Sequence, residues 1–286
     1  MRKIRALPFT AYLFQNSSNP DAYVWKVEIG GAAYALKMAR TAFSCDFINR
    51  QHSFDYFDPF CCECRVYGRL KEEQCEDLAV QAHGYLLNPE QEEEITEKIM
   101  GIDYDPDDRN DSVPLNGWNN NWGRFEQHRG QPVRAIVKEL DVFGSDFYAT
   151  QVPQMWSDLK RLNALGILVR DLHAGNYLDG KLVDFSRVWT MYHPCLDGDR
   201  LCSSDLQNFR MGDARGLEGM IDDYFGYDVQ EVPEELHEHA AGQYDAGTDP
   251  TLYDWRKLGG EEVEAHVQEL CAEQPSESYS DDDHEY

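Results

Sequence analysis

The alternation of apolar and polar positions divides the chain into a strand-rich first half and a helix-rich second half. Tyr23 to Ile29 alternates with period two, Gly30-Gly31 marks a turn, and Ala32 to Met38 returns as a second strand. On that returning strand Lys37 shares a face with Ala33 and Ala35, whereas Tyr34, Leu36 and Met38 share the other. Asp58-Pro59 places an N-cap before a first-turn proline and predicts a helix from Phe60 to about Glu73, with Phe60, Glu63, Tyr67 and Leu70 along one face. Leu78–Leu87 and Val133–Leu140 predict two more strands. Met155, Leu159, Leu162 and Leu165 recur at helical spacing, and Gly166 supplies the stop. Asp213 to Tyr224 and Glu231 to Ala241 predict two further helices, and from Gly242 onward the signal thins.

Two features of this pattern carry chemistry. Tyr177-Leu178 and Lys181-Leu182 flank Asp179-Gly180, the dipeptide that favours a two-residue hairpin turn. In that register Asn176 falls opposite Val183, beside Asp184, and two hard oxygen ligands converge as a cradle for Mg²⁺. Asp171, five residues before Asn176, lies in the loop leading into the hairpin, where it can orient a hydroxyl beside a metal-bound phosphate. The second feature is Glu63, a carboxylate within an apolar stripe. Burying it unpaired is costly, and Lys37 is the counter-ion the pattern offers. Taken singly, Lys37 reads as a lysine reaching out from a sheet edge and Glu63 as a solvated stripe-edge residue; taken together, they read as a pair.

Composition and charge narrow the function classes. With 42% hydrophobic and 12% aromatic residues, 286 residues suffice for a substantial core in one large domain or two lobes. The net charge is −27, but residues 221–286 hold 20 Asp/Glu against Arg256 and Lys257 alone, so 18 of those charges belong to the C-terminal region. This balance argues against direct nucleic-acid binding and leaves room for a basic protein partner of the acidic tail. The eight cysteines lack disulfide-scaffold spacing and fit a reducing compartment. On a helix Cys61, Cys62 and Cys64 diverge, which fits small buried side chains better than a zinc site. No signal peptide and no membrane span is expected, which gives a cytoplasmic or nuclear protein. Residues 88–130 form a long polar insertion whose Asp103–Asp108 run lacks the glycine and glutamate of a calcium loop. Residues 242–286 are expected to be a largely disordered acidic tail.

Strand lysine, helix glutamate, Arg-Asp loop, asparagine five residues on and then Asp-Phe resemble, in this order, the protein-kinase-like fold from about Tyr12 to Tyr224. Asp171-Leu172-His173-Ala174-Gly175-Asn176 is similar to the catalytic loop of aminoglycoside and choline phosphotransferases. Val24 to Met38 and Lys181 to Trp189 look like small fungal protein-kinase-like proteins, a group that includes a fungal kinetochore subunit. The resemblance implies an α+β, bilobal fold with a β-rich N-lobe over 1–140 and a shortened, mainly helical C-lobe over 141–241. It implies that Lys37 contacts ATP phosphates, Glu63 anchors Lys37, Asp171 is the catalytic base, Asn176 and Asp184 hold Mg²⁺, and Glu139 and Leu140 border the adenine. The phosphate acceptor would be a protein or small-molecule hydroxyl. Several positions depart from the pattern: Phe14 to Asp21 contains no glycine, Val169 replaces the loop histidine, Ser186 replaces the glycine after Asp-Phe, and no Ala-Pro-Glu follows. Two readings result, an ATP- and Mg²⁺-dependent phosphotransferase and an inactive pseudokinase acting as an interaction module in a kinetochore or other chromosome-associated assembly.

Overall fold

The computed structural model describes residues 2–4, 9–14, 22–39, 56–88, 133–140, 148–196, 203–226, 232–242 and 249–254. Strands β1 (Arg2–Ile4), β2 (Phe9–Phe14), β3 (Ala22–Ile29) and β4 (Ala32–Ala39) precede helix α1 (Pro59–Glu72), then β5 (Ala82–Asn88) and β6 (Val133–Glu139). After them come α2 (Val152–Ala164), β7 (Ile167–Leu168), β8 (Tyr177–Leu178), β9 (Lys181–Leu182), β10 (Trp189–Thr190), α3 (Ser203–Phe225) and α4 (Glu234–Ala240). The first six strands form one sheet in the order β1-β5-β6-β4-β3-β2, antiparallel except where β1 runs along β5. The protein is therefore a mixed α/β molecule, with its sheet in the first half and most of its helices in the second. The glycine-free stretch at 15–21, most of the 88–130 insertion, the 141–146 connector and the tail beyond 254 lie outside the described residues.

The β3–β4 hairpin follows from Gly30 and Gly31, at φ +59° and +84°, values that a two-residue turn between twisted strands requires and that glycine adopts without strain. Register then fixes the two faces of the sheet. Leu36 opposes Trp25 and Val137, and together with Val27, Met38, Leu86 and Ala135 they form a small, fully buried apolar cluster. The other face carries Lys37 opposite Ile136, and Ala35 opposite Lys138. Ile136 belongs to the main core, which runs without a break from α1 (Val66, Leu70) through α2 (Met155, Leu159, Leu162) to α3 (Leu217, Ile221) and Leu236 of α4.

Three elements differ from the expected boundaries. The strand expected to start at Leu78 starts at Ala82, because residues 79–80 pair instead with the later hairpin: Ala79 bridges Leu182, and Val80 N–H donates to Leu182 O at 3.0 Å. The helix expected from Asp213 begins ten residues earlier, at Ser203. The last helix starts at Glu234, after Pro233, since proline disfavours helical backbone at the residue before it.

Residues 249–254, which fall within the acidic C-terminal region, pack on the body. Tyr253 is buried, its ring lies 4.0 Å from the Arg69 guanidinium carbon, and its hydroxyl bonds Glu73. Gly166, at φ +72°, sits directly beneath it, and an added Cβ would meet Tyr253 Cβ at 2.8 Å and Met191 Cβ at 3.0 Å. Gly166→Ala is thus expected to lose roughly 2 kcal/mol or more through left-handed strain and overpacking. Urea unfolding would measure this, and an unchanged midpoint would show that the contact is dispensable.

Candidate functional site

Helix α1 starts where the sequence predicts: the Asp58 side chain accepts from Cys61 N–H at 3.0 Å, and Pro59 occupies the first turn. Arg134 of β6 holds the same carboxylate, so the cap also ties α1 to the sheet. This orientation turns Glu63, Tyr67 and Leu70 inward, and all three are buried. Lys37 Nζ pairs with Glu63 Oε1 and stands 2.6 Å from Asp184 Oδ1. The fourth member is Lys138, whose Nζ lies 2.9 Å from Glu63 Oε2, bonds the carbonyl of Val183 and faces the Tyr67 ring at 5.3 Å. Two ammonium and two carboxylate groups thus close a neutral cluster linking β4, β6, α1 and the segment after the hairpin. Lys37, Glu63 and Lys138 are at most 8% exposed.

Sequence reasoning reached Lys37, Glu63 and Asp184 but missed Lys138. It reads as one of three charged residues in its strand, and only the β4–β6 register puts it on the Lys37 face. Its neighbour Glu139 is exposed and donates its N–H to Gln81 O at 2.9 Å; Leu140 is half-buried at the strand end. Burial alone would raise the Asp184 carboxyl, yet Lys37 and Lys138 outweigh it and hold Asp184 well below the usual carboxylate range. Its Oδ1 also accepts Ser186 N–H at 2.8 Å.

The hairpin has the expected register, Tyr177 opposite Leu182 and Leu178 opposite Lys181, with Asp179 and Gly180 both at positive φ in the turn. Val183 N–H donates to Asn176 O at 2.9 Å, which sets Asn176 one residue away from being opposite Asp184. The Asn176 amide nitrogen donates to Asp171 O at 2.8 Å, pinning the loop to the hairpin. The Asp171 side chain is 36% exposed, and Arg187 Nε lies 3.9 Å from it.

Beneath the loop lies Asp213, fully buried in the middle of α3. Its carboxylate accepts Val169 N–H (2.8 Å), Arg170 N–H (2.7 Å) and the Asn163 amide (2.8 Å). Asp213 does not begin the helix, as the sequence suggested; it anchors the loop backbone where Arg170 adopts φ +67°. Burial pushes its carboxyl upward against those three hydrogen bonds. Arg170 spreads its guanidinium over Trp189, 3.6 Å from the ring centroid.

Trp189 also stacks on His193, which is 1% exposed. Burial pushes this imidazole down to about 3. Between its ordinary value of 6.5 and about 3 the unfolded chain binds a proton that the folded chain refuses, so stability falls as pH drops through that window. One such group contributes a slope of about 1.4 kcal/mol per pH unit. Denaturant titrations at pH 7 to 4 should show that slope in the native chain and its loss in His193→Gln; an identical slope in both would exclude His193 as its source.

The α1 cysteines face mixed surroundings. The Cys62 thiol is buried against Tyr56 O at 3.2 Å and burial raises it to about 12, as it does Cys64. Among the described residues no group of three or more His, Cys, Asp and Glu side chains is placed to hold a metal ion, and no helix is long and apolar enough to cross a membrane.

No curated protein sequence matches this chain. A solved structure titled "WaaP in complex with acyl carrier protein" is 12% identical, with 83% of this chain and 90% of that chain covered, but its TM-score of 0.32 is too low to carry an argument. The family described as Kinetochore Sim4 complex subunit FTA2 matches residues 2–189, well over half of the length, and the chain belongs to that family of kinetochore subunits.

Proposed function

We propose that this chain acts as a protein-binding subunit of the kinetochore, built on a protein-kinase-like scaffold whose charged centre serves as an internal brace. The observation that carries this reading is the closed cluster of Lys37, Glu63, Lys138 and Asp184. The lysine suited to nucleotide phosphates is already held between two carboxylates, and Lys138 takes the remaining Glu63 oxygen. A nucleotide would have to break the Lys37–Asp184 contact in a chain that already carries −27. The family match supports assembly with other proteins and a nuclear location. Purifying kinetochore assemblies from cells carrying only Asp171→Asn tests the reading. The variant is expected to be incorporated like the native chain, because among the described residues the Asp171 side chain pairs with the exposed Arg187; loss of incorporation would overturn a role independent of chemistry.

One observation favours a second reading, an ATP-dependent phosphotransferase. Asn176 lies across the hairpin mouth from Val183, the residue before Asp184, and Asp171, its side chain 36% exposed, lies in the loop that leads in. These groups fit a divalent cation of the Mg²⁺ class, which would be held by Asn176 and Asp184 and would neutralise phosphate charge. In that reading Lys37 orients phosphate oxygens, Glu63 orients Lys37, Glu139 and Leu140 border the adenine, and Asp171 accepts the proton of an acceptor hydroxyl.

A further inference from the structure

Tyr253 belongs to a segment that carries its own structure. Asp249 and Pro250 open a single helical turn, in which the Asp249 carboxylate accepts Thr251 N–H at 2.9 Å and the Thr251 hydroxyl at 2.6 Å. Leu252 N–H closes the turn by donating to Asp249 O at 3.2 Å. Pro250 and Tyr253 are buried, whereas Leu252 between them is 63% exposed, so the apolar contact with the body runs through two side chains.

The pocket that receives Tyr253 is shaped by hydrogen bonds within the body. Met191 N–H donates to Gly166 O at 2.7 Å, and the Arg69 guanidinium donates to Leu165 O at 2.6 Å and to Met191 O at 2.5 Å. Those bonds hold Arg69 in place, and its guanidinium carbon sits over the Tyr253 ring, 4.0 Å from the centroid. Gly166 leaves the floor open, since a Cβ there would meet Tyr253 Cβ at 2.8 Å. Leu168, Trp189 and Met191 supply the apolar wall, and the Glu73 carboxylate accepts the Tyr253 hydroxyl at 2.5 Å.

We propose that this pocket is a docking site for a tyrosine-bearing segment of a protein partner, and that residues 249–254 are a strap that closes it until such a segment takes their place. Strap and pocket each hold their shape by internal hydrogen bonds, so the strap can leave without dismantling either. The chemistry selects an unmodified tyrosine. Phenylalanine forfeits the bond to Glu73, and phosphotyrosine would set a dianion against the Glu73 and Glu72 carboxylates. A tethered strap competes at high effective concentration, so a free segment binds only the fraction of chains that are open. The proposal deepens the protein-binding reading by naming a docking site; its test uses a peptide, so its failure leaves that reading and the charge cluster standing.

Fluorescence polarisation of the full chain with a labelled peptide Asp-Pro-Thr-Leu-Tyr-Asp tests this. Pro250→Gly combined with Tyr253→Ala removes both buried side chains of the strap, and this opened chain is expected to bind the peptide at least about tenfold more tightly than the native chain. Tyr253→Phe, which keeps the ring, should fall between them and guards against misfolding of the opened chain. The phenylalanine and phosphotyrosine versions of the peptide should bind the opened chain more weakly, and adding Glu73→Ala should make the tyrosine and phenylalanine versions equal. Equal binding by native and opened chains, no binding by either variant, or phosphotyrosine binding as well as tyrosine would overturn the proposal.

Discussion

Glu63→Ala is expected to destabilise the protein by about 3–5 kcal/mol, the cost of leaving a buried ion without its partner. The loss falls chiefly on Lys138. Lys37 keeps Asp184 at 2.6 Å, whereas Lys138, 5% exposed, keeps the Val183 carbonyl, the Tyr67 ring and a more distant attraction to Asp184. A brace and a phosphate clamp differ in what happens next. If the Glu63–Lys138 contact serves to neutralise buried charge, Glu63→Met combined with Lys138→Met should recover most of what the single Glu63→Met loses, since apolar replacements of a buried pair are often close to neutral. Urea unfolding of the two singles and the double gives the coupling directly. Additive losses would mean that the two side chains are not partners.

Asp213→Ala is expected to cost a similar amount, about 3–5 kcal/mol, by a different route. Its carboxylate is the acceptor for Val169 N–H, Arg170 N–H and the Asn163 amide in a site with no exposure, and each stranded donor carries a desolvation penalty of roughly 1–3 kcal/mol. Arg170 would also lose the bond that holds its left-handed backbone. Asp213→Asn keeps one acceptor oxygen and should fall between the native chain and Asp213→Ala in calorimetric melting. Equal melting of all three would show that the loop is held by packing alone.

How far these features could be read from the sequence depended on whether their causes are local. The β3–β4 and β8–β9 hairpins, the cap of α1 and the Gly166 stop each depend on a few adjacent residues, and each lies within a residue or two of its expected place. The Lys37–Glu63 pair was legible because a carboxylate in an apolar stripe requires a cation, and only one strand offered a lysine between small side chains. Lys138 was not legible, because its partnership depends on strand register across more than a hundred residues. Asp213 was visible only as a residue of a helix; its role depends on where α3 passes beneath a loop. The short β7–β10 pairing and the docking of Tyr253 on Arg69 are likewise contacts between segments whose own patterns give no signal.

The family match and the charge cluster lead to one account: a kinetochore subunit in which the groups suited to phosphate chemistry neutralise one another and hold sheet, helix and hairpin together. The most direct test is calorimetric titration of the full chain with Mg²⁺·ATP at millimolar concentration. The account predicts no saturable heat, because Lys37 and Asp184 are already engaged. Saturable binding that Asp184→Asn removes, accompanied by turnover that Asp171→Asn removes, would contradict it.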